Sequence, residues 1–477
     1  MQKTPKLALN FVQNGLEFAL NFVQNGLEFA LNFVQNVNMA NRYLKRTIDA
    51  ELLAWKNDKN HKVLLLRGAR QVGKSCSVRN LAEKFEYFIE VNFEKDHDVR
   101  ALFEGNFNVK EICGKLSVFF KTTVTPDRTL IFFDEIQSCP NAISALRFFY
   151  EDYPELHVIA AGSLLEFALE ELPSFGVGRI RSLFMYPFSY KEFLSACGED
   201  ALWDKVCESS PEKPLFEPFH EKCLEYLKKF LIIGGMPAVI ADYAENGQIL
   251  NSQNILNDLI ISFKSDFSKY KKRVPDLQIR TVFDAVVHQS GGRFNFAKVE
   301  QLNYRQVKES LGLLQNAGLL IPVIHTSANA PPLGSEANYK KQKLILLDTG
   351  ILQRLLDMEL SDIILNTDIS LINKGAIAEQ FAGLELLKSA SCYSQDNLYF
   401  WLREKPQSSA EIDYVTHKNG RIIPIEVKSG STGKMQSMFI FLNEKKYEYG
   451  IRTSLENFSA RDKIRVYPLY AIGNINC

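Results

Sequence analysis

From Gly68 to Cys76 the sequence reads G-A-R-Q-V-G-K-S-C, and these residue types at this spacing suit the handling of phosphate. Gly68 and Gly73 let backbone N–H groups turn inward around phosphate oxygens, as G-x-x-x-x-G-K-S/T loops do, and a following helix start adds partial positive charge. Lys74 can reach β- and γ-phosphates, while the Ser75 hydroxyl can ligate Mg²⁺. The loop Gly68, Ala69, Arg70, Gln71, Val72, Gly73, Lys74, Ser75 and Cys76 is therefore expected to bind a nucleoside triphosphate, ATP, with Mg²⁺.

Two acids form the second candidate. Thr129-Leu130-Ile131-Phe132-Phe133 is an unbroken apolar run that ends in Asp134-Glu135, as a buried parallel strand would deliver carboxylates to the carboxyl edge of its sheet. Asp134 would hold the metal with Ser75, and Glu135 would polarise the attacking water. The bland alternative is a strand followed by acidic loop residues. A third run, His157 to Ala161, leads into Gly162-Ser163, where Ser163 either senses the γ-phosphate or lytic water or lies in a plain turn.

These groups need a scaffold that brings separate strand ends together. Val63 to Arg67 reads as a strand, Lys74 onward as a helix, and Phe85 to Glu94 as a second strand from its aromatic and β-branched content. The alternation from Val63 to Leu165 predicts an α/β fold, a P-loop doubly wound parallel sheet with the nucleotide at its carboxyl edge.

At 477 residues the chain exceeds one ordinary core and suggests several domains. Lys+Arg and Asp+Glu balance at 56 each, so any nucleic-acid surface must be a local patch. Runs such as Leu130 to Phe133 are far shorter than the roughly 20 apolar residues of a membrane span, so no membrane partner is expected. The eight cysteines lack a C-x-x-C pair, which argues for reduced thiols and a cytoplasmic location. The histidines show no zinc spacing.

Residues 8 to 36 repeat A-L-N-F-V-Q-N-G-L-E-F from Ala8 and Ala19, and A-L-N-F-V-Q-N from Ala30. Perfect identity at so short a period is unlike a packed solenoid. Residues 1–38 are therefore expected to stand outside the fold, with Met39 an attractive start.

The segments G-A-R-Q-V-G-K-S, L-I-F-F-D-E-I-Q, A-G-S-L-L-E-F, G-R-I-R-S-L-F-M-Y-P-F-S-Y-K-E-F-L and I-G-G-M-P-A-V-I occur in an order that resembles a family of prokaryotic AAA-type ATPases. That family carries a C-terminal domain of uncharacterised function that looks like a restriction endonuclease, and the resemblance runs from Met39 onward. It implies a catalytic role for Arg179, the position matching an arginine that faces the phosphates; the alternatives are a surface ion pair at Arg179 or the same role for Arg181. It also implies that residues 184–194 and 230–243 form a small helical lid.

Downstream, Phe263 to Arg273 interleaves cations with aromatics and reads as a solvated helix face or a phosphate contact. Helices over Leu277 to Gln289, Phe296 to Gln301 and Tyr304 to Asn316, followed by strands at Leu319 to His325 and Gln342 to Leu347, have the rhythm of a winged helix. Its recognition helix would expose Tyr304, Arg305, Gln306 and Lys308, although many winged helices bind only proteins. After a helix from Lys374 to Phe381, strands are expected at Leu398 to Arg403, Ala410 to His417 and Arg421 to Val427. An acid followed by E-x-K resembles the PD-(D/E)xK nuclease constellation. Asp413 and Glu426 would hold Mg²⁺, Lys428 would orient water or phosphate, and Glu379 is the matching accessory acid. Glu426 and Lys428 alternate by two and share a strand face.

The sequence thus divides into residues 1–38, a P-loop AAA-type core at 39–195, a helical lid and connector at 196–275, a winged-helix-like module at 276–350 and a restriction-endonuclease-like α/β domain at 370–477. The expected function is a Mg²⁺-dependent ATPase coupling nucleotide state to a C-terminal half that binds DNA or a protein partner. The alternatives are a non-hydrolysing nucleotide-switched binding protein and an ATP-regulated nuclease.

Overall fold

The computed structural model describes residues 43–105, 107–171, 178–270, 274–358, 375–404, 410–418, 420–428 and 435–476. The repeats of residues 8 to 36, Met39, and the cations Lys271, Lys272 and Arg273 lie outside these residues. Contacts divide the chain into Met1–Leu44 and Lys45–Cys477, and every element below belongs to the second unit.

Helix α1 (Ile48–Asn57) precedes β1 (Val63–Arg67), α2 (Lys74–Ala82), β2 (Tyr87–Asn92), α3 (Val109–Phe120), β3 (Thr129–Asp134), α4 (Pro140–Asp152), β4 (His157–Ala161), α5 (Leu165–Glu171) and β5 (Ile180–Phe184). The five strands form one parallel sheet in the order β2-β3-β4-β1-β5. Every residue of β3 and β4 is buried, which is why these strands read as continuous apolar runs, whereas edge strand β2 alternates. Phe133 is fully buried among Phe93, Phe103 and Phe149, with ring centroids 5.6 to 5.7 Å away. This cluster fixes the strand that ends in Asp134.

Strand β5 occupies residues that the sequence leaves between sensor segment and lid. Its free edge is met by the chain near Cys392, whose carbonyl accepts from Phe184 N at 2.8 Å. Helices α6 (Tyr190–Ala196), α7 (Asp200–Cys207), α8 (Glu217–Ile233), α9 (Pro237–Asn246) and α10 (Ile249–Asp266) follow. A capping box between Ser189 and Glu192 starts α6.

Helices α11 (Asp276–His288) and α12 (Tyr304–Asn316) lead to the antiparallel pair β6 (Leu320–Thr326) and β7 (Ala337–Leu346). A single 3₁₀ turn, Phe296–Lys298, stands where the sequence predicts a helix reaching Gln301. Gln301 has φ +62°, a backbone that cannot continue a right-handed helix. After α13 (Thr349–Leu355) come α14 (Gly375–Lys388), β8 (Leu398–Leu402), β9 (Glu411–Lys418), β10 (Arg421–Val427), α15 (Gln436–Lys445), β11 (Gly450–Ser454), β12 (Ser459–Arg461) and β13 (Ile464–Pro468).

One mixed sheet takes all of these later strands, in the order β12-β13-β11-β10-β9-β8-β6-β7. Strand β6 pairs in parallel with β8, Val323 opposite Leu398. The hairpin expected to belong to a separate module therefore extends the C-terminal sheet, and backbone hydrogen bonds run across the anticipated boundary between residues 350 and 370.

Candidate nucleotide site and the C-terminal acid cluster

The loop after β1 depends on left-handed backbone at Gly68 (φ +140°), Gln71 (φ +62°) and Gly73 (φ +98°). A Cβ on Gly68 would lie 2.1 Å from the Met185 carbonyl oxygen, so only glycine lets the loop run this close to the residue after β5. The Lys74 ammonium folds back into the loop and donates to the carbonyls of Gly68 and Ala69 at 2.8 and 2.7 Å. Burial pulls its pKa down to about 8, against the opposing charges of Glu135 and Asp134.

Two arginines brace the loop. Arg70 pairs with Asp266 at the end of α10 at 2.5 Å. Arg46, 6% exposed, donates to the carbonyls of Val72 and Tyr186 at 2.9 and 2.7 Å and pairs with Glu192 at 3.1 Å. Neither Arg46 nor Asp266 belongs to a local motif, and only their tertiary contacts reveal them.

Ser75 and the acids at the end of β3 meet at the carboxyl edge of the sheet. The Ser75 hydroxyl donates toward Asp134 Oδ2 at 3.1 Å and Oδ1 at 3.2 Å. Burial and the neighbouring Glu135 charge raise the Asp134 pKa, and the Ser75 hydroxyl opposes them. Glu135 adopts φ +48°, a left-handed conformation that costs a non-glycine residue on the order of 1 kcal/mol. Its Oε2 accepts from Gln137 Nε2 at 2.6 Å, Ser163 Oγ at 2.9 Å and Ser163 N at 3.1 Å. Burial pushes the Glu135 carboxyl up, but these three donors and the Lys74 charge outweigh it and hold its pKa below the ordinary value.

Gln137 was not singled out from the sequence, although it stands only two residues after Glu135. Its Oε1 is buried without a partner, and a Cβ on Gly162 would lie 2.0 Å from it, which accounts for glycine before Ser163. A cavity of about 300 Å³ opens beside Gly68, Ala69, Gly162 and Ser163 and extends to Gln315 and Asp396. The donor set fits a nucleotide phosphate with its metal: backbone turned by glycines, a buried ammonium, and a hydroxyl in contact with a carboxylate.

Arg179 is not brought to this place. It precedes β5, whose first residue, Ile180, lies opposite Val63, the first residue of β1. That is the amino edge of the parallel sheet, away from the loop that leaves the carboxyl end of β1. There Arg179 pairs with Glu151 at 2.9 Å and is 51% exposed. Its rival Arg181 lies one strand position further, 3.8 Å from Asp58.

Of the residues expected on a recognition helix, Tyr304, Arg305 and Lys308 are exposed. Arg305 pairs with Glu309 at 2.9 Å, and the Gln306 side chain closes a capping box with Asn303, which commits it to the helix end.

In the C-terminal half, Glu379, Asp413, Glu426 and Lys428 gather around the middle of the mixed sheet. Lys428 Nζ lies 2.6 Å from Glu426 Oε1, and Asp413 Oδ2 accepts from Val427 N at 2.8 Å. Lys343 belongs to no motif, yet it pairs with Glu379 at 2.7 Å and Glu411 at 2.6 Å and lies 3.6 Å from Asp413. A lysine at the head of the apolar run Leu344 to Leu347 was the available signal. Among the described residues, no group of three or more His, Cys, Asp or Glu side chains is arranged to hold a metal ion. At the two acids expected to hold Mg²⁺, Asp413 Oδ2 and Glu426 Oε1 already have protein donors, while Glu426 Oε2 is buried without a partner.

The parallel sheet, the glycine-bounded loop and the acids at the end of β3 define a P-loop ATPase domain of AAA type. Residues 60–194 match the family model of an AAA domain. Residues 224–362 and 374–472 match the models of two domains of unknown function. No curated relative matches the chain. Among solved structures, the chain is similar to a Walker-type ATPase of Pyrococcus abyssi at 14% identity, covering 66% of this chain and 96% of that one, with TM-score 0.41. It is also similar to the Orc1 protein of Aeropyrum pernix in complex with DNA, at 11% identity and TM-score 0.29, covering 68% and 96%. A RuvB protein of Thermotoga maritima is matched at 16% identity and TM-score 0.25, covering 57% and 87%. No helix among the described residues is long and apolar enough to cross a membrane.

Proposed function

We propose that the chain is a Mg²⁺-dependent ATPase that passes its nucleotide state to a C-terminal half able to bind DNA or a protein partner. The observation that carries this reading is the Ser75–Asp134 contact beside Glu135, which Ser163 and Gln137 hold by one carboxylate oxygen. Lys74 would exchange the carbonyls of Gly68 and Ala69 for β- and γ-phosphate oxygens, and the N–H groups of the loop would cradle them. Ser75 and Asp134 would hold Mg²⁺, which when bound neutralises charge developing on the phosphate oxygens. Released from Ser163 and Gln137, Glu135 Oε2 would accept the proton of the attacking water. Ser163 would then sense the same event that frees Glu135.

Transmission has a physical route. Arg46 ties the loop to Glu192. Two residues earlier in α6, Tyr190 N donates to Glu385 on α14 at 3.1 Å, while Lys388 of α14 donates to the Phe188 carbonyl at 2.8 Å. A shift of the loop therefore bears on the helix under the C-terminal sheet. In this reading residues 39–195 are the ATPase core, 196–275 the helical lid and connector, 276–350 a winged-helix-like module and 370–477 a restriction-endonuclease-like domain. The supports for the last two are the order of α11, α12 and the β6–β7 hairpin, and the gathering of Asp413, Glu426 and Lys428 on β9, β10 and the residue after it.

The test is ATP turnover by the full chain with Mg²⁺, with and without duplex DNA, alongside Lys74→Ala. Turnover that Lys74→Ala abolishes and duplex DNA alters is expected. Turnover indifferent to DNA, with no retention of DNA, would move the coupling to a protein partner. Absence of any turnover would overturn the ATPase reading.

A further inference from the structure

Lys343 is the most deeply placed cation of the C-terminal sheet, 3% exposed on a strand otherwise apolar from Leu344 to Leu346. Its ammonium lies 5.4 Å from the Phe400 ring centroid. It approaches Glu379 Oε1 at 2.7 Å and Glu411 Oε1 at 2.6 Å, with Asp413 Oδ1 at 3.6 Å. The first two are lengths of charge-assisted N–H···O bonds. The carboxylates arrive from two elements, α14 and β9, so Lys343 of β7 closes a cage that no single segment builds.

The other oxygens point to the same conclusion. Asp413 Oδ2 is engaged by Val427 N, and Glu426 Oε1 by Lys428. Glu426 Oε2 is buried without a partner, but a divalent ion that drew on Glu379 and Glu411 as well would have to displace the ammonium that already bonds both.

We propose that Lys343 is the resident counter-cation of this acid cluster, holding Glu379 and facing Asp413, two of the acids that the nuclease resemblance assigns, so that the C-terminal domain keeps the acids of a nuclease site without metal-dependent cleavage. Removing the ammonium should leave Glu379, Glu411 and Asp413 around a space that a divalent ion can enter. Arginine should keep the cage neutralised.

Mn²⁺ uptake, followed by the electron paramagnetic resonance of free Mn²⁺, tests this on the full chain without nucleotide. An Asp134→Asn background keeps the phosphate-loop site out of the reading, so failure here is distinct from failure of the ATPase proposal. With Lys343 present, adding Asp413→Asn should leave uptake unchanged. Lys343→Ala should gain about one Mn²⁺ per chain, bound at least about tenfold more tightly than by the parent and lost again with Asp413→Asn, because ligand charge sets affinity in such sites. Lys343→Arg should gain none. If Lys343→Ala unfolds, Mn²⁺ should restore its thermal transition. The proposal is overturned by Asp413-dependent Mn²⁺ binding in the chain that retains Lys343, by a folded Lys343→Ala that takes up no Mn²⁺, or by an unfolded one that Mn²⁺ does not rescue.

Discussion

Lys74 illustrates how one side chain can make a binding site sensitive to pH. Burial makes its ammonium lose the proton at about 8 instead of 10.5. Phosphate oxygens favour the charged form, so ATP affinity should be full below that value and decline as pH rises through it, roughly tenfold per unit until the bound-state pKa is reached. Calorimetric titration between about pH 7 and about pH 9 measures the trend; a flat affinity would contradict it. Lys74→Ala should cost about 1.5–3 kcal/mol of binding at neutral pH and remove the pH dependence. At this scale much of the nucleotide site was legible, because Gly68, Lys74 and Ser75 lie in a local motif and Asp134 and Glu135 end an apolar run. Gln137, Arg46 and Lys343 were less accessible, since their partners lie on other elements or at positions without a motif. Arg179 shows the opposite failing: a position matched by resemblance says nothing about which edge of the sheet it occupies.

Elements were readable where two-sided burial drew an unbroken apolar run. Strands β3 and β4 declare themselves by unbroken apolar runs, and the expected Phe85–Glu94 strand is trimmed to Tyr87–Asn92 because its ends turn out of the sheet. Strand β5 and strands β11 to β13 escaped because none is an unbroken apolar run: I-R-S-L-F and G-I-R-T-S interleave polar residues, although every residue of β11 is buried. The amino end of the sheet carries a further testable feature. His157 begins β4, stacks on His61 at 3.8 Å between ring centroids, and lies 5.1 Å from Trp55. Burial, then the neighbouring His61, lowers its pKa from 6.5 to about 4. Between those values the unfolded chain takes up a proton that the folded one refuses, so stability should fall on acidification through that window. Thermal midpoints should drop from pH 6.5 toward 4 for the wild type and more gently for His157→Asn. Equal slopes would show that another group controls acid sensitivity.

For the whole molecule, the decisive fact is the sheet shared across the anticipated boundary. Pairing of β6 with β8 joins residues more than a hundred positions downstream of the ATPase strands to the last part of the chain, and no local pattern in the sequence reports a pairing of that kind. Gln380 of α14 adds to the union: it accepts from Leu346 N at 3.0 Å and donates to the Asp348 carbonyl at 2.9 Å. A chain ended after Met358 would expose the β6 edge that pairs with β8 and leave Leu346 N without Gln380. Such a chain should lose cooperative thermal unfolding or aggregate. A transition at the full-length midpoint would mean that the two halves are independent.

The most direct measurement compares wild type with Glu135→Gln for both Mg²⁺-ATP binding and turnover. Glutamine keeps the size of Glu135 and can still hydrogen-bond Ser163, but it cannot take a proton from water. Binding within a factor of about two, with turnover slowed by about 10²–10⁴-fold, is the expected result. Unchanged turnover would contradict the assignment of Glu135 as the group that activates water.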